Sequence, residues 1–143
     1  MNQSHEIDIA AALLRAGLGL MFIAHALLKI VVFTIPGTVQ FFESVGLPGV
    51  FAYATIAAEL IGGTMLILGI RTRITAFALV PVLLGATWVH AGNGWLFTSA
   101  NGGWEYPAFL ALVAVTVGLL GGGRYALLER SGDQDLNRGL QRA

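Results

Sequence analysis

Between Ile9 and Phe33 the chain is apolar for long enough to cross a bilayer, yet this run carries Arg15, His25 and Lys29. Arg15, Leu18, Phe22, His25 and Lys29 follow alternating spacings of three and four residues, so a helix gathers them on one face. A charge at mid-bilayer costs on the order of 3 kcal/mol or more, so that face cannot look at lipid. It must meet other helices or water, and the rest of the chain has to supply partners for it.

Composition agrees with a membrane setting. Of 143 residues, 56% are hydrophobic and 11% charged, against about 25% charged in ordinary soluble domains. Basic and acidic side chains balance at 8 each, so no net field draws the chain toward nucleic acid. With no cysteine, disulfides, thiolate metal sites, Fe–S clusters and dithiol redox chemistry on its own side chains are excluded. Ala24 and Ala26 around His25 fit a small-x-small cleavage pattern. However, Met1 to Asp8 hold no Lys or Arg and more apolar sequence follows, so the segment reads as a retained helix.

The expected fold is all-α, an integral membrane four-helix bundle. Its helices are expected at about 9–33, 50–70, 74–90 and 104–120. Residues 1–126 then form the transmembrane domain and 127–143 a solvated, mobile cytoplasmic tail. Arg71 and Arg73 lie in the short connection between the second and third helices, and Arg124, Arg130, Arg138 and Arg142 follow the fourth. The connections 34–49 and 91–103 contain no Lys or Arg. The positive-inside rule therefore makes the arginine turn and the tail cytoplasmic, and four spans then put the N-terminus on the same side and the two long loops outside.

In the first long loop, Pro36, Gly37, Gly46 and Pro48 bracket an apolar-rich piece with room for one or two helical turns at the interface. The second long loop is glycine-rich, and Trp88, Trp95, Trp104 and Tyr106 suit an aromatic belt. Ala54, Ala58 and Gly62 form a small-residue stripe that invites close helix packing, with Gly17 and Met21 a weaker counterpart.

A rise of about 1.5 Å per residue brings Glu59 nearly level with His25, in the outer half of the bundle with Lys29, His90 and Glu105. Glu59 with His25 or Lys29 is the natural pair, because an unpaired carboxylate at that depth takes up a proton. Such a pair is either a structural lock or a proton-handling site. Arg15, alone in the inner half, is expected to snorkel to the interface. Two histidines on different helices can ligate haem, but His25 and His90 differ in level by roughly 12 Å at this rise, and no other motif supports a metal.

These residues form an ordered set. Leu14, Arg15, Gly17, Leu18, Gly19, Leu20, Phe22, His25 and Lys29 mark the first helix. Gly46, Leu47 and Pro48 precede the second, which holds Glu59, Leu60, Gly62 and Gly63 and runs out through Leu68, Gly69, Arg71 and Arg73. His90, Asn93, Gly94, Glu105, Tyr106, Gly123, Arg124 and Tyr125 complete it. The set resembles the DoxX family over nearly all of residues 10–126, departing at Ala26, where the family usually has glycine. The resemblance implies a four-helix bacterial inner-membrane protein with a loose tie to redox chemistry. The family's named member is a subunit of a thiosulfate:quinone oxidoreductase.

The leading expectation is accordingly a quinone-linked redox component or oxidoreductase subunit. His25, Glu59 and Lys29 are expected to be catalytic, and His90, Glu105, Tyr106 and Trp88 to bind substrate. Quinone is the expected bound substrate, no resident cofactor is identified, and electrons would come from a soluble or membrane redox partner. The alternatives are a membrane anchor or adaptor for a soluble redox enzyme and, last, a small-molecule or proton transporter. Besides the lipid bilayer, the small-residue faces permit a homo-oligomer.

Overall fold

A computed structural model describes residues 3–128. These residues form α1 (Gln3–Leu27), continued by a π-helical turn (Leu28–Val32), then α2 (Ile35–Ser44), α3 (Val50–Leu68), α4 (Thr72–His90) and α5 (Glu105–Leu120). The described chain is thus all-helical, with five α-helices where four long ones were expected. The additional one is α2, the short piece bracketed by Pro36 and Pro48. The tail expected after residue 126 lies, from 129 onward, outside the described residues.

Three helical stretches are long and apolar enough to cross a membrane: Gln3–Val32, Val50–Leu68 and Thr72–Asn93. Helix α5 is apolar but shorter, at 16 residues. Helix α1 packs on α3, α3 on α4, α4 on α5 and α5 back on α1, so the four close into a ring. Leu18 and Phe22 of α1, Leu66 of α3, Leu79 and Leu83 of α4 and Ala114 and Val117 of α5 fill its centre. Leu13, Val31, Leu84, Leu112 and Leu119 point outward and stay exposed. An outer surface this apolar suits hydrocarbon rather than water.

Close packing of α1 on α3 depends on two glycines. A Cβ on Gly19 would sit 2.6 Å from Gly63 O, and one on Gly63 would sit 2.8 Å from Gly19 O. The expected Gly17 contact does not form, since a Cβ there would meet nothing within 4 Å. Gly62 does pack, against Leu79 of α4, while Ala54 of the same stripe is exposed. Periodicity found the small faces, but a one- or two-residue rotation decides which glycine touches a neighbour.

At the short-turn end, Gly69 adopts a left-handed conformation (φ 70°) and closes α3. Gly69 N–H donates to Leu66 O (3.1 Å) and Ile70 N–H to Met65 O (2.9 Å), the paired bonds of a glycine-terminated helix. The chain after α5 returns here. Leu127 N–H bonds Leu68 O (3.1 Å), Leu128 N–H bonds Gly69 O (3.1 Å), and Arg71 N–H bonds Leu128 O (2.9 Å). Arg15 crosses the same junction. Its guanidinium donates to Leu66 O (2.8 Å), Ile67 O (2.7 Å) and Tyr125 O (2.7 Å). Rather than snorkelling outward, this buried arginine caps the exposed carbonyls of α3 and ties three parts of the chain together.

Candidate functional site

Helix α1 widens at its C-terminal end, in the π-turn that holds Lys29. Phe33 N–H bonds Leu28 O at 2.9 Å, the longer-range pairing that defines such a turn. The Lys29 carbonyl accepts the Thr38 hydroxyl of α2 at 2.9 Å, so a side chain serves a backbone group at the widened turn. Side chains on a helix lean toward its N-terminus. Lys29 accordingly drops back along α1, its amine 3.5 Å from His25 O.

There it meets Glu59. Lys29 Nζ lies 2.8 Å from Glu59 Oε1 and 2.9 Å from Oε2, so one ammonium spans both carboxylate oxygens. Glu59 is buried near the middle of α3 and Lys29 only partly exposed, so much of the pair's hydration is gone. Mutual attraction and direct hydrogen bonds offset that loss. The expected cross-helix pairing therefore forms, with Lys29 rather than His25 as the direct partner.

His25 stands one turn before Lys29. Its Nδ1 is 2.8 Å from Met21 O. A carbonyl can only accept, so Nδ1 carries a proton here, and Nε2 is the acceptor whenever the ring is neutral. The imidazole stacks on Tyr106 of α5, ring centres 5.7 Å apart and planes inclined by 26°. The Tyr106 hydroxyl is buried without a hydrogen-bond partner among the described residues. Helices α1, α3 and α5 thus bring His25, Lys29, Glu59 and Tyr106 together at the long-loop end of the ring.

Tyr106 also lines a shallow groove of about 330 Å³ with Trp95, Phe97, Glu105 and Phe109. Its loop is fastened by reciprocal bonds. Glu105 N–H donates to Trp95 O (3.2 Å), and Glu105 Oε1 accepts Phe97 N–H (2.8 Å). Trp104 N–H bonds Gly94 O (3.1 Å), and the Trp104 and Trp95 rings meet edge to face with centres 4.5 Å apart. Asn93 clamps the loop base through Asn101 O (3.2 Å) and Gly102 O (2.9 Å).

The remaining expected site residues lie elsewhere. His90 ends α4, with Nδ1 3.3 Å from the Asn93 amide. Trp88 is 62% exposed on the outside of the ring. Sequence reasoning missed the clamping role of Asn93 and the capping role of Arg15. Their partners are backbone carbonyls, which leave no residue-type signal.

The chain has been compared with known proteins. The model of the DoxX family matches residues 10–92. A protein of Bacillus subtilis (strain 168) that bears the name "Putative oxidoreductase CatD" is 43% identical over 86 residues, which cover 60% of this chain and 61% of that protein. The similarity thus spans less than two thirds of the relative. No solved structure matches. The family match contains Arg15, His25, Lys29 and Glu59 and ends before Glu105 and Tyr106. With more than half of its length matched and three apolar helices of membrane-spanning length, this multi-pass membrane chain belongs to the DoxX family.

Proposed function

We propose that the protein is a quinone-linked redox component of a bacterial inner membrane, acting as a subunit of a membrane oxidoreductase. In this reading α1, α3, α4 and α5 all span the bilayer, both termini are cytoplasmic, and the long loops face outward. Leu127 and Leu128, bonded to the end of α3, then lie at the cytoplasmic face. A quinone head group reaches the outer half of the bundle from lipid, and electrons come from a partner protein.

The observation that carries the reading is the convergence of His25, Lys29, Glu59 and Tyr106. A buried phenol with no partner, stacked beside an imidazole whose Nε2 is uncommitted, offers one donor and one acceptor to a flat ligand. A quinone carbonyl accepts from Tyr106 Oη–H, and a hydroquinone hydroxyl donates to His25 Nε2. Lys29 stabilises negative charge developing on the ligand oxygen, and Glu59 exchanges protons with it. Glu105 stands at the rim toward the outer side. In support, the family match includes the three ionisable groups, and the relative's name is that of an oxidoreductase.

Quinone binding to the purified protein tests this, with wild type set against Glu59→Gln and His25→Ala and the absorption spectrum recorded on each sample. Weaker binding in the variants, by about tenfold for a lost charge-assisted hydrogen bond, is the expected result. Equal binding by all three proteins overturns it.

A second reading has one observation in its favour. Lys29 and Glu59 satisfy each other within the bundle, as a structural lock would. The protein would then anchor a soluble redox enzyme through a loop or its tail. Loss of activity on loop or tail truncation, with the buried pair replaceable, identifies that case.

A further inference from the structure

Beyond Tyr106 and Glu105, the groove beside Tyr106 is lined by residues that the redox reading does not use. Its lining holds four aromatic rings, those of Trp95, Phe97, Tyr106 and Phe109, and one charged group, the Glu105 carboxylate. We infer that this groove binds a small organic ammonium group.

No Lys or Arg is among the lining residues, and Lys29 at this end of the ring is paired with Glu59, while the groove itself carries the Glu105 carboxylate. Aromatic faces are the negative ends of ring quadrupoles, so rings and carboxylate attract the same sign of ligand. Metal and alkali ions hold their water too strongly to exchange it for rings. A methylated organic ammonium, above all a quaternary one, is weakly hydrated and makes that exchange.

Preorganisation is the second step. Trp95, Phe97 and Phe109 are all more than half exposed, as interfacial anchors also are. Anchors, however, need no fixed relation to one another. Here the reciprocal bonds between Glu105 and the 95–97 segment fix the backbone of that segment beside the carboxylate, and Trp104 packs edgewise on Trp95. Glu105 Oε1 is committed to Phe97 N–H, while no protein hydrogen bond engages Oε2 among the described residues. The loop therefore holds its backbone and its one anion in place without a ligand, which lowers the ordering cost of binding.

The chemistry fixes the ligand's head and leaves two sources for it, a free ammonium compound or the headgroup of an aminated phospholipid. The probe is choline, and its control is 3,3-dimethyl-1-butanol, the neutral compound of the same shape. Tryptophan fluorescence of the full chain in nanodiscs of phosphatidylglycerol reports binding. Choline is expected to change the signal saturably, with the neutral compound at least tenfold weaker. Glu105→Gln keeps an amide oxygen for Phe97 N–H while removing the charge, and Phe109→Leu keeps bulk at an exposed position while removing a ring face. Each is expected to weaken choline by about three- to tenfold at constant ionic strength. Competition by phosphatidylcholine added to the discs identifies a lipid headgroup as the source, and undiminished binding identifies a free ammonium compound. Equal binding of choline and the neutral compound overturns the inference, as does undiminished choline binding in both variants. Phe109 has no part in the quinone reading, so loss of choline binding in Phe109→Leu is distinguishable from the outcome of the quinone experiment.

Discussion

Lys29 and Glu59 form a two-oxygen ion pair across α1 and α3, with the ammonium 2.8 and 2.9 Å from the two carboxylate oxygens. Their helices also approach backbone to backbone through Gly19 and Gly63, so the pair sits on a close-packed seam. Small rotations of α1 about its axis would open the pair and the glycine contact together.

That geometry predicts an asymmetric mutational response. Removing one partner strands the other in a site that has lost most of its water, at a cost of about 3–5 kcal/mol. Glu59→Leu and Lys29→Met are each expected to lower the thermal midpoint in detergent clearly. The double variant Lys29→Met with Glu59→Leu is expected to recover much of the loss, since apolar replacements need no hydration. Unfolding midpoints of the four proteins form the thermodynamic cycle that checks this. If the losses simply add, the two residues are not a coupled pair.

The glycine seam gives a sharper contrast within a single helix. A Cβ on Gly19 meets backbone of α3 at 2.6 Å, and backbone cannot swing aside as a flexible side chain does. Gly19→Ala is expected to destabilise by about 1–3 kcal/mol through overpacking. Gly17→Ala, two positions away and facing open space, is expected to be neutral or to stabilise by up to about 1 kcal/mol through helix propensity. Thermal unfolding of both variants decides it, and equal effects would remove the seam from the account.

Much of this arrangement could be read in advance from particular residues. Arg15, His25 and Lys29 inside an apolar run required polar partners within the bundle, and level-matching against α3 pointed to Glu59. The choice of Lys29 over His25 depended on the backward lean of helical side chains and on the π-turn, which no periodicity encodes. The pairing of Tyr106 with His25 depended on the rotation of α5, a helix too uniformly apolar for its buried face to be read. Arg15 was placed correctly on its face but assigned the wrong destination. Its acceptors are carbonyls freed where Gly69 ends α3, visible only once the chain after α5 folds back beside them.

The long loop offers a local test. Asn93 holds its base through Asn101 O and Gly102 O, and neither bond reaches the packed ring. Asn93→Ala is expected to leave the global unfolding midpoint within about 0.5 kcal/mol of wild type, as for surface changes generally. Proteolysis between residues 94 and 103 should accelerate, because local opening there no longer breaks those bonds. A shift of the whole unfolding transition would show instead that the loop and the bundle unfold as one unit.

Arg15 gives the strongest expected effect away from the candidate site. Arg15→Met keeps much of the side chain's packing but removes the donors to Leu66 O, Ile67 O and Tyr125 O at a buried junction. Hydrogen bonds from a charged donor are worth about 1.5–3 kcal/mol each, so the loss should be about 3 kcal/mol or more even after relaxation. Because the junction also holds the return segment, Leu127 and Leu128 amides should exchange faster with solvent, as their bonds to Leu68 O and Gly69 O loosen. Arg15→Lys restores one charge without the planar fork and should fall between the two. Choline binding at the opposite end of the ring should persist wherever the variant remains folded, which separates loss of a structural cap from loss of a ligand site.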